Sequence, residues 1–477
     1  MYLNAICYDN QRWQMADTRE ERITSKNYII LGAGKRGIGL ARQLIAEGKN
    51  VVLLDSDSER IEQAVSRLDC LGVVGNGTNP AKLIEAGIEN AEAFITLTDS
   101  DEINLISCGL VEASYPDVRT VAVIRSLTYT GTSGLREGLL GIDYIVNPTA
   151  ETGRSINTLI DQGVNPNILN FFNSTLLLYT MHVGPSSRFI GSKVMELRTE
   201  LKTEFIVAAI CNDSVLRIPS GESVIEAGDV LSIVANEEEV HDILKAVGEL
   251  EKVPKRMVFV GASKITRALL SGMRPSMRSR VTLIDKDAET CKEFSERFQE
   301  IMVIHSDITD EDIMQEEQLI GSDLLVALTD NDELNVITAS YAKRVGITRS
   351  IALIKQNNNY IRMARFLDID VVISTTDTTV ESLLRYLRST NVSSVHTLFD
   401  GQLEIIEYFI PKTRPLIGKA LKEIDMRTKA LIAGITGSDG KSHIPTGNST
   451  IEADSTLLVV VKPEHTEFIE TLFGRNR

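Results

Sequence analysis

The chain has 477 residues, 43% of them hydrophobic and 24% charged, a globular composition too long for one core and sized for about three or four domains. The net charge of −16 argues against a general nucleic-acid role, and no local basic patch opposes it. No apolar run reaches the roughly 20 residues needed to span a bilayer.

The start of the chain, residues 1–26, reads as an extension. Its first 21 residues carry Asp9, Asp17, Glu20 and Glu21 without an apolar stretch, so it is not a secretory signal and a cytoplasmic address is expected. The five cysteines, at 7, 70, 108, 211 and 291, lack a Cys-x-x-Cys spacing. Reduced structural thiols are expected, with no disulfide framework and no metal site.

Short Val/Ile-rich runs then follow at 28–31, 51–54, 71–74, 93–97, 120–124 and 144–146, alternating with amphipathic segments. Strands apolar on both faces, separated by helices, predict a parallel sheet covered on both sides. Between the first run and the helix expected at 38–47 stands Gly32-Ala33-Gly34-Lys35-Arg36-Gly37, and the second run ends in Asp55, 23 residues beyond the first glycine. A Gly-x-Gly-x-x-Gly between strand and helix, with an acid at that distance, is the dinucleotide fingerprint of a Rossmann-like domain.

Each residue type has a physical task there. Gly32 permits the tight turn, Gly34 lets a diphosphate approach the backbone, and Gly37 lets helix and strand pack closely. The helix N-terminus offers free N–H groups to phosphate. Asp55 can accept the two ribose hydroxyls of an adenosine and would repel a 2′-phosphate, which favours NAD(H) or ATP/ADP over NADP. Lys35 and Arg36 are cations able to reach a terminal phosphate, in the same subunit or a neighbour. Ligands on such sheets lie at the carboxyl ends of the strands, so Asn76 and Gly77, after the third strand, and Thr98 and Asp99, after the fourth, are expected near the adenosine. Ser100 and Asp101 read equally well as turn and capping residues.

A polar helix is expected at 148–162. Beyond it come shorter runs at 205–210, 215–218 and 230–234, separated by Asn212-Asp213 and Gly228-Asp229, which predict a small mixed α+β lobe. The pattern then repeats. Residues 93–107 read AFITLTDSDEINLIS and residues 324–338 read LLVALTDNDELNVIT, at an offset of 231. Gly32 aligns with Gly261, Asp55 with Asp285, Ile190-Gly191 with Ile417-Gly418, and Ile218-Pro219-x-Gly221 with Ile444-Pro445-x-Gly447. The expected fold class is α/β, with two Rossmann-like parallel-sheet domains, 27–150 and 256–390, each followed by a small lobe, 151–248 and 391–477. The seam lies near 248–256.

In the second copy the loop reads Gly261-Ala262-Ser263-Lys264-Ile265-Thr266. Two of three glycines are replaced, so a weakened or lost site is expected although Asp285 persists. Gly440-Lys441-Ser442 is no phosphate loop, because the glycine required five positions before Gly440 is Ile435. No His-Glu-x-x-His or Gly-x-Ser-x-Gly occurs, and His305 is the one histidine in a ligand-facing loop, within the degenerate copy.

The glycine loop, Asp55, Gly75-Asn76-Gly77, residues 98–104 and the paired Ile-Pro-x-Gly turns resemble the TrkA family of Trk-type potassium uptake systems, built from RCK domains. The resemblance covers 27–473. It implies a regulatory subunit, not an enzyme, that pairs into a homotetrameric or homodimeric ring beneath an integral membrane potassium channel or transporter of the Trk type. It further implies that Gly32, Ala33, Gly34, Lys35, Arg36 and Asp55 hold the nucleotide, that Thr98 and Asp99 lie beside it, and that Arg125, after the fifth strand, is a weaker contributor. Family members often carry an acid after the third strand where this chain has Asn76. The rival classes are an NAD-dependent oxidoreductase, for which the lobe at 188–235 offers no catalytic cluster, and a regulator of another cation transporter.

Overall fold

The computed structural model describes residues 26–473 except 47, 127–138, 162, 165–167, 172, 186, 213–214, 248–252, 311–312, 357–358, 365, 388–391, 400–401 and 427–428. The N-terminal extension through residue 25, Asp213 of the expected turn and the central part of the seam therefore lie outside the described residues.

The first sheet domain is laid down as β1 (Asn27–Leu31), α1 (Lys35–Ala46), β2 (Asn50–Asp55), α2 (Ser58–Val65), β3 (Leu71–Val74), α3 (Pro80–Glu85), β4 (Ala91–Thr96), α4 (Asp101–Ser114), β5 (Arg119–Val123) and β6 (Tyr144–Val146), leading into α5 (Pro148–Asp161). Its six strands run parallel in the order β3-β2-β1-β4-β5-β6. Reversal of strand order between β1 and β4 opens a crevice at their carboxyl ends, where a ligand binds in such sheets. β1, β2 and β4 are buried along almost their whole length, as the unbroken apolar runs require. Ile29, Leu54 and Phe94 meet Leu105, Cys108 and Val111 of α4 in one core.

The first lobe comprises β7 (Ile168–Asn170), β8 (Leu176–His182), α6 (Val194–Leu201), β9 (Phe205–Asn212), β10 (Val215–Arg217), β11 (Val230–Asn236) and α7 (Glu237–Val247), in sheet order β10-β9-β11-β8-β7. The strands at 168–170 and 176–182 were not expected from the sequence. β8 is apolar on both faces, so it lacks the alternation that marks a strand, and its antiparallel ladders with β11 and β7 make it one.

The second repeat supplies β12 (Met257–Val260), α8 (Lys264–Gly272), α9 (Pro275–Arg278), β13 (Val281–Asp285), α10 (Ala288–Arg297), β14 (Met302–His305), α11 (Ile313–Glu316), β15 (Leu324–Ala327), α12 (Asp332–Arg344), β16 (Arg349–Ile354), α13 (Asn359–Ala364), β17 (Val371–Ser374) and α14 (Thr375–Leu387). The order β14-β13-β12-β15-β16-β17, again parallel, reproduces the first sheet. Its lobe adds β18 (Val392–Leu398), β19 (Leu403–Ile410), β20 (Ala430–Thr436), β21 (Ser442–His443), β22 (Ser455–Val461) and α15 (Thr466–Phe473).

Like joins like. The chain forms two compact units, one of residues up to Asn157 with Lys255–Leu384, the other of Thr158–Pro254 with Arg385–Arg477. In the first unit the sheet domains pack reciprocally. Gly39 of α1 faces Val380 of α14, with the site of its missing Cβ 3.4 Å from Val380 Cγ2, while Gly153 of α5 faces Ala268 of α8 at 3.2 Å. Gly39 matches Ala268 and Gly153 matches Val380 in the repeat, so each half of the interface places a glycine opposite a side chain, with the roles exchanged. Asn157 Nδ2 donates to Leu269 O at 2.9 Å, and the Thr152 and Thr378 hydroxyls meet at 3.0 Å.

In the second unit the two lobe sheets share a core of Leu176, Leu178 and Val234 with Leu403, Ile405 and Val460. Gly434 is required there, since a Cβ would stand 2.3 Å from Leu176 Cδ1.

Candidate nucleotide site

The site begins where β1 ends. Gly32 has φ +110, and a Cβ on it would stand 3.0 Å from the Leu97 carbonyl carbon; its N–H donates to Leu54 O at 2.8 Å, tying the turn to β2. Gly37 lies across the turn, where a Cβ would come 1.9 Å from Gly32 O, so only glycine fits. Gly34 differs: no atom lies within 4 Å of its Cβ position. The first intrahelical bond of α1 is Ile38 N–H to Gly34 O at 2.9 Å, and among the described residues no side chain accepts from the amides of Lys35, Arg36 or Gly37. An uncapped helix N-terminus above an open glycine is a cradle for phosphate, and the residues present fit a dinucleotide or nucleoside polyphosphate.

Asp55, at the end of β2, is 8% exposed. Its Oδ2 accepts from Ala33 N–H at 2.7 Å and its Oδ1 from Asp57 N–H at 2.9 Å. The carboxylate thus braces the glycine loop, and each oxygen keeps a second lone pair for a ribose hydroxyl. Asn76 forms a local turn by accepting from Thr78 N–H at 3.0 Å. A Cβ on Gly77 would strike Leu31 Cδ2 at 2.2 Å, so only glycine lets this turn pack on the Leu31 side chain at the end of β1.

Thr98 and Asp99 follow β4 and sit beside the loop. The Thr98 hydroxyl donates to Asn104 Oδ1 at 2.7 Å and accepts from Ser100 N–H at 3.2 Å. Asn104, fully buried, also accepts from Thr98 N–H at 3.0 Å and donates to Val123 O at 2.8 Å, clamping the β4 and β5 exits together. Sequence reasoning gave Asn104 no task, though its identity with Asn335 at the repeat offset was a usable signal. Ser100 caps α4 by accepting from Ile103 N–H at 3.2 Å, and Asp101 receives the N–H groups of Arg125 and Ser126 at 3.0 and 2.8 Å. These two are scaffold.

The cations divide. Arg125 pairs with Asp99 at 3.2 Å. Burial, and next the nearby Arg125 guanidinium, push Arg36 below the ordinary arginine range, partly offset by Asp99. Arg36 Nε is buried with no partner among the described residues. Arg125 Nε also lies 3.8 Å from Asp101 Oδ1, so two guanidiniums and two carboxylates meet at the edge of the cradle, with Arg36 the less compensated cation. Lys35 instead donates from Nζ to the carbonyl of Gln356 in the second sheet domain.

The second copy keeps the scaffold and closes the cradle. Asp285 accepts from Ala262 N–H at 2.6 Å, and Asn335 clamps Thr329 and Leu353 as Asn104 clamps Thr98 and Val123. Ser263, however, caps α8 by accepting from Thr266 N–H at 3.3 Å, and Thr266 Oγ1 donates to Gly261 O at 2.5 Å. Side chains of the loop itself take up the donors and space that a phosphate needs. Where Arg36 stands in the first copy the second has Ile265, and Lys355 pairs with Asp330 one to one at 2.5 Å. His305 is exposed on β14 with Nε2 3.1 Å from Lys286 O. No helix among the described residues is long and apolar enough to cross a membrane.

The comparisons agree with this layout. The TrkA-N domain matches residues 28–148 and 257–375, and the TrkA-C domain residues 178–248 and 405–474. The Trk system potassium uptake protein TrkA of Halomonas elongata is 28% identical over 452 residues, covering 93% of this chain and 98% of that protein. A TrkA homolog of Archaeoglobus fulgidus is 28% identical over 445 residues, covering 93% and 99%. In fold, the GsuK channel bound to NAD superposes with TM-score 0.55 at 17% identity over 94% of this chain and 79% of that one, and the GsuK RCK domain with TM-score 0.54 at 17% identity over 94% and 95%. With an α/β sheet domain and a small lobe each present twice and in the same order, the chain belongs to the TrkA family, as a tandem of TrkA-N and TrkA-C domains.

Proposed function

We propose that the chain is the nucleotide-sensing regulatory subunit of a Trk-type potassium uptake system, with binding rather than catalysis as its output. The potassium role rests on family membership and on relatives titled potassium uptake proteins over nearly their full length. The observation that carries nucleotide sensing is the contrast between the two helix N-termini, α1 open over Gly34 and α8 capped by Ser263.

In this reading the first sheet domain, 27–150, holds NAD(H) or ATP/ADP. The amides around Gly32, Ala33, Gly34 and Gly37 receive the phosphates, and Asp55 accepts the ribose hydroxyls and repels a 2′-phosphate. Arg36 and Arg125 add positive charge beside Asp99, while Asn76, Thr98 and Asp99 shape the wall. The lobes, 151–248 and 391–477, and the second sheet domain, 256–390, serve assembly. Copies of the chain, two or four, close a ring on the cytoplasmic side of an integral membrane partner. Nucleotide acts by differential affinity for two arrangements of that ring, which requires no covalent step.

A calorimetric titration of the purified chain with NADH, NAD, NADPH, ATP and ADP tests this. The expected result is near one site per chain, with NADH or ATP bound more tightly than NADPH. Two equal sites would refute the closure of the second cradle, and no binding would leave the glycine loop structural.

A further inference from the structure

We infer that Lys35 couples occupancy of the first glycine loop to the second sheet domain, because its ammonium is shared between a phosphate at that loop and the Gln356 carbonyl. The inference rests on the nucleotide reading above and assigns a positioning residue to it.

Lys35 is the first residue of α1, at the mouth of the cradle, and its Nζ crosses to Gln356 O. That carbonyl belongs to a residue anchored through its own amide. Gln356 N–H and Lys355 N–H both donate to the Asp332 carboxylate at 2.8 Å, so the acceptor is held just beyond β16 and just before α13. The same α1 carries Gly39, packed against Val380 and Thr376 of α14. One helix therefore has the phosphate cradle at its end and the interface between sheet domains along its back.

The competition has a clear winner. The Lys35 ammonium makes an ion pair with a phosphate oxygen but only an ion–dipole hydrogen bond with the Gln356 carbonyl, so phosphate is the stronger acceptor, and the flexible four-carbon stem allows the swing. Ligand then draws Lys35 inward, the Gln356 carbonyl loses its donor, and α13 becomes less protected. The arrangement is confined to the first copy. Lys264, the counterpart of Lys35, is exposed and donates to no acceptor among the described residues, which matches a second cradle that is already capped.

Hydrogen exchange by mass spectrometry on the full chain tests the coupling, with ATP and NADH as probes and with Lys35→Met and Lys35→Arg beside the native chain. In the native chain, saturating probe should speed exchange of the amides at 359–364 by about fivefold, the effect of losing one solvent-exposed hydrogen bond. Lys35→Met without ligand should show the same increase, with none added by ligand, and Lys35→Arg should restore the native pattern. Calorimetric binding without any change at 359–364, or Lys35→Met indistinguishable from native without ligand, would overturn the coupling alone. No calorimetric binding would overturn the nucleotide reading, and the coupling with it.

Discussion

A Cβ on Gly37 would stand 1.9 Å from the carbonyl oxygen of Gly32, whereas Thr266, in the matching place of the second repeat, carries a Cβ and donates its hydroxyl to the Gly261 carbonyl at 2.5 Å. One position thus decides whether helix and turn close on each other directly or through a side chain, and with it whether the helix N-terminus stays free.

Gly37→Ala should move α1 off the turn. Overpacking of this kind costs about 1–3 kcal/mol, so a lower melting temperature is expected together with at least roughly tenfold weaker nucleotide binding. Thermal melts and titration of the same preparation check it; native affinity in the variant would mean that the cradle tolerates the methyl group.

Asp55→Ala should lose nucleotide binding and also stability, because the Ala33 and Asp57 amides lose their acceptor. The unsatisfied buried Ala33 donor costs about 1–3 kcal/mol, and the more exposed Asp57 amide less. The sequence alone suggests a ligand-facing carboxylate whose loss spares the fold; the brace it gives the loop adds the stability term. Chemical denaturation of the folded variant measures it.

Asn104→Ala and Asn335→Ala remove equivalent buried clamps, each joining a β-strand exit to its neighbour. Both should destabilise by about 2–4 kcal/mol. Only Asn104→Ala should also weaken nucleotide binding, since only the first copy has an open cradle. Equal effects on binding would show that the second copy takes part.

Arg36→Met should leave the melting temperature unchanged or raise it, because a desolvated guanidinium beside Arg125 is removed. Nucleotide affinity should fall about tenfold at low salt and less at high salt. A variant that melts earlier with intact affinity would make Arg36 structural.

Cys108 sits wholly within the first core, where burial pushes its thiol up to about 12. The folded pKa lies above the unfolded one, near 8.5, so the stability linked to the protonated thiol is full below that pH. It is lost as pH rises from there toward 12. Melting temperatures of the native chain should fall across this alkaline window more steeply than those of Cys108→Ala.

The strands of the first parallel sheet were legible because an unbroken apolar run, bounded by turns, is local information, and the second sheet was legible as a repeat of the first. The glycine loop and Asp55 were legible for the same reason, since strand, turn, helix and acid occupy one short stretch. Asn104 was visible only as a repeated identity, because its partners Thr98 and Val123 lie on two different strand exits. β8 escaped because Leu176–His182 is apolar on both faces, Tyr179 and Met181 packing with Phe205 and Leu231 on one side and Leu176 and Leu178 with Leu403 and Ile405 on the other.

By itself the sequence determined the duplicated plan, the α/β class and the inequality of the two loops, since each follows from residue type at short spacing. Tertiary structure alone decided that sheet domain pairs with sheet domain, lobe with lobe, and that Lys35 reaches Gln356 rather than its own loop. Those outcomes depend on surfaces contributed from more than 100 residues apart, such as Gly39 against Val380, and no local pattern of side chains encodes which surface another will meet.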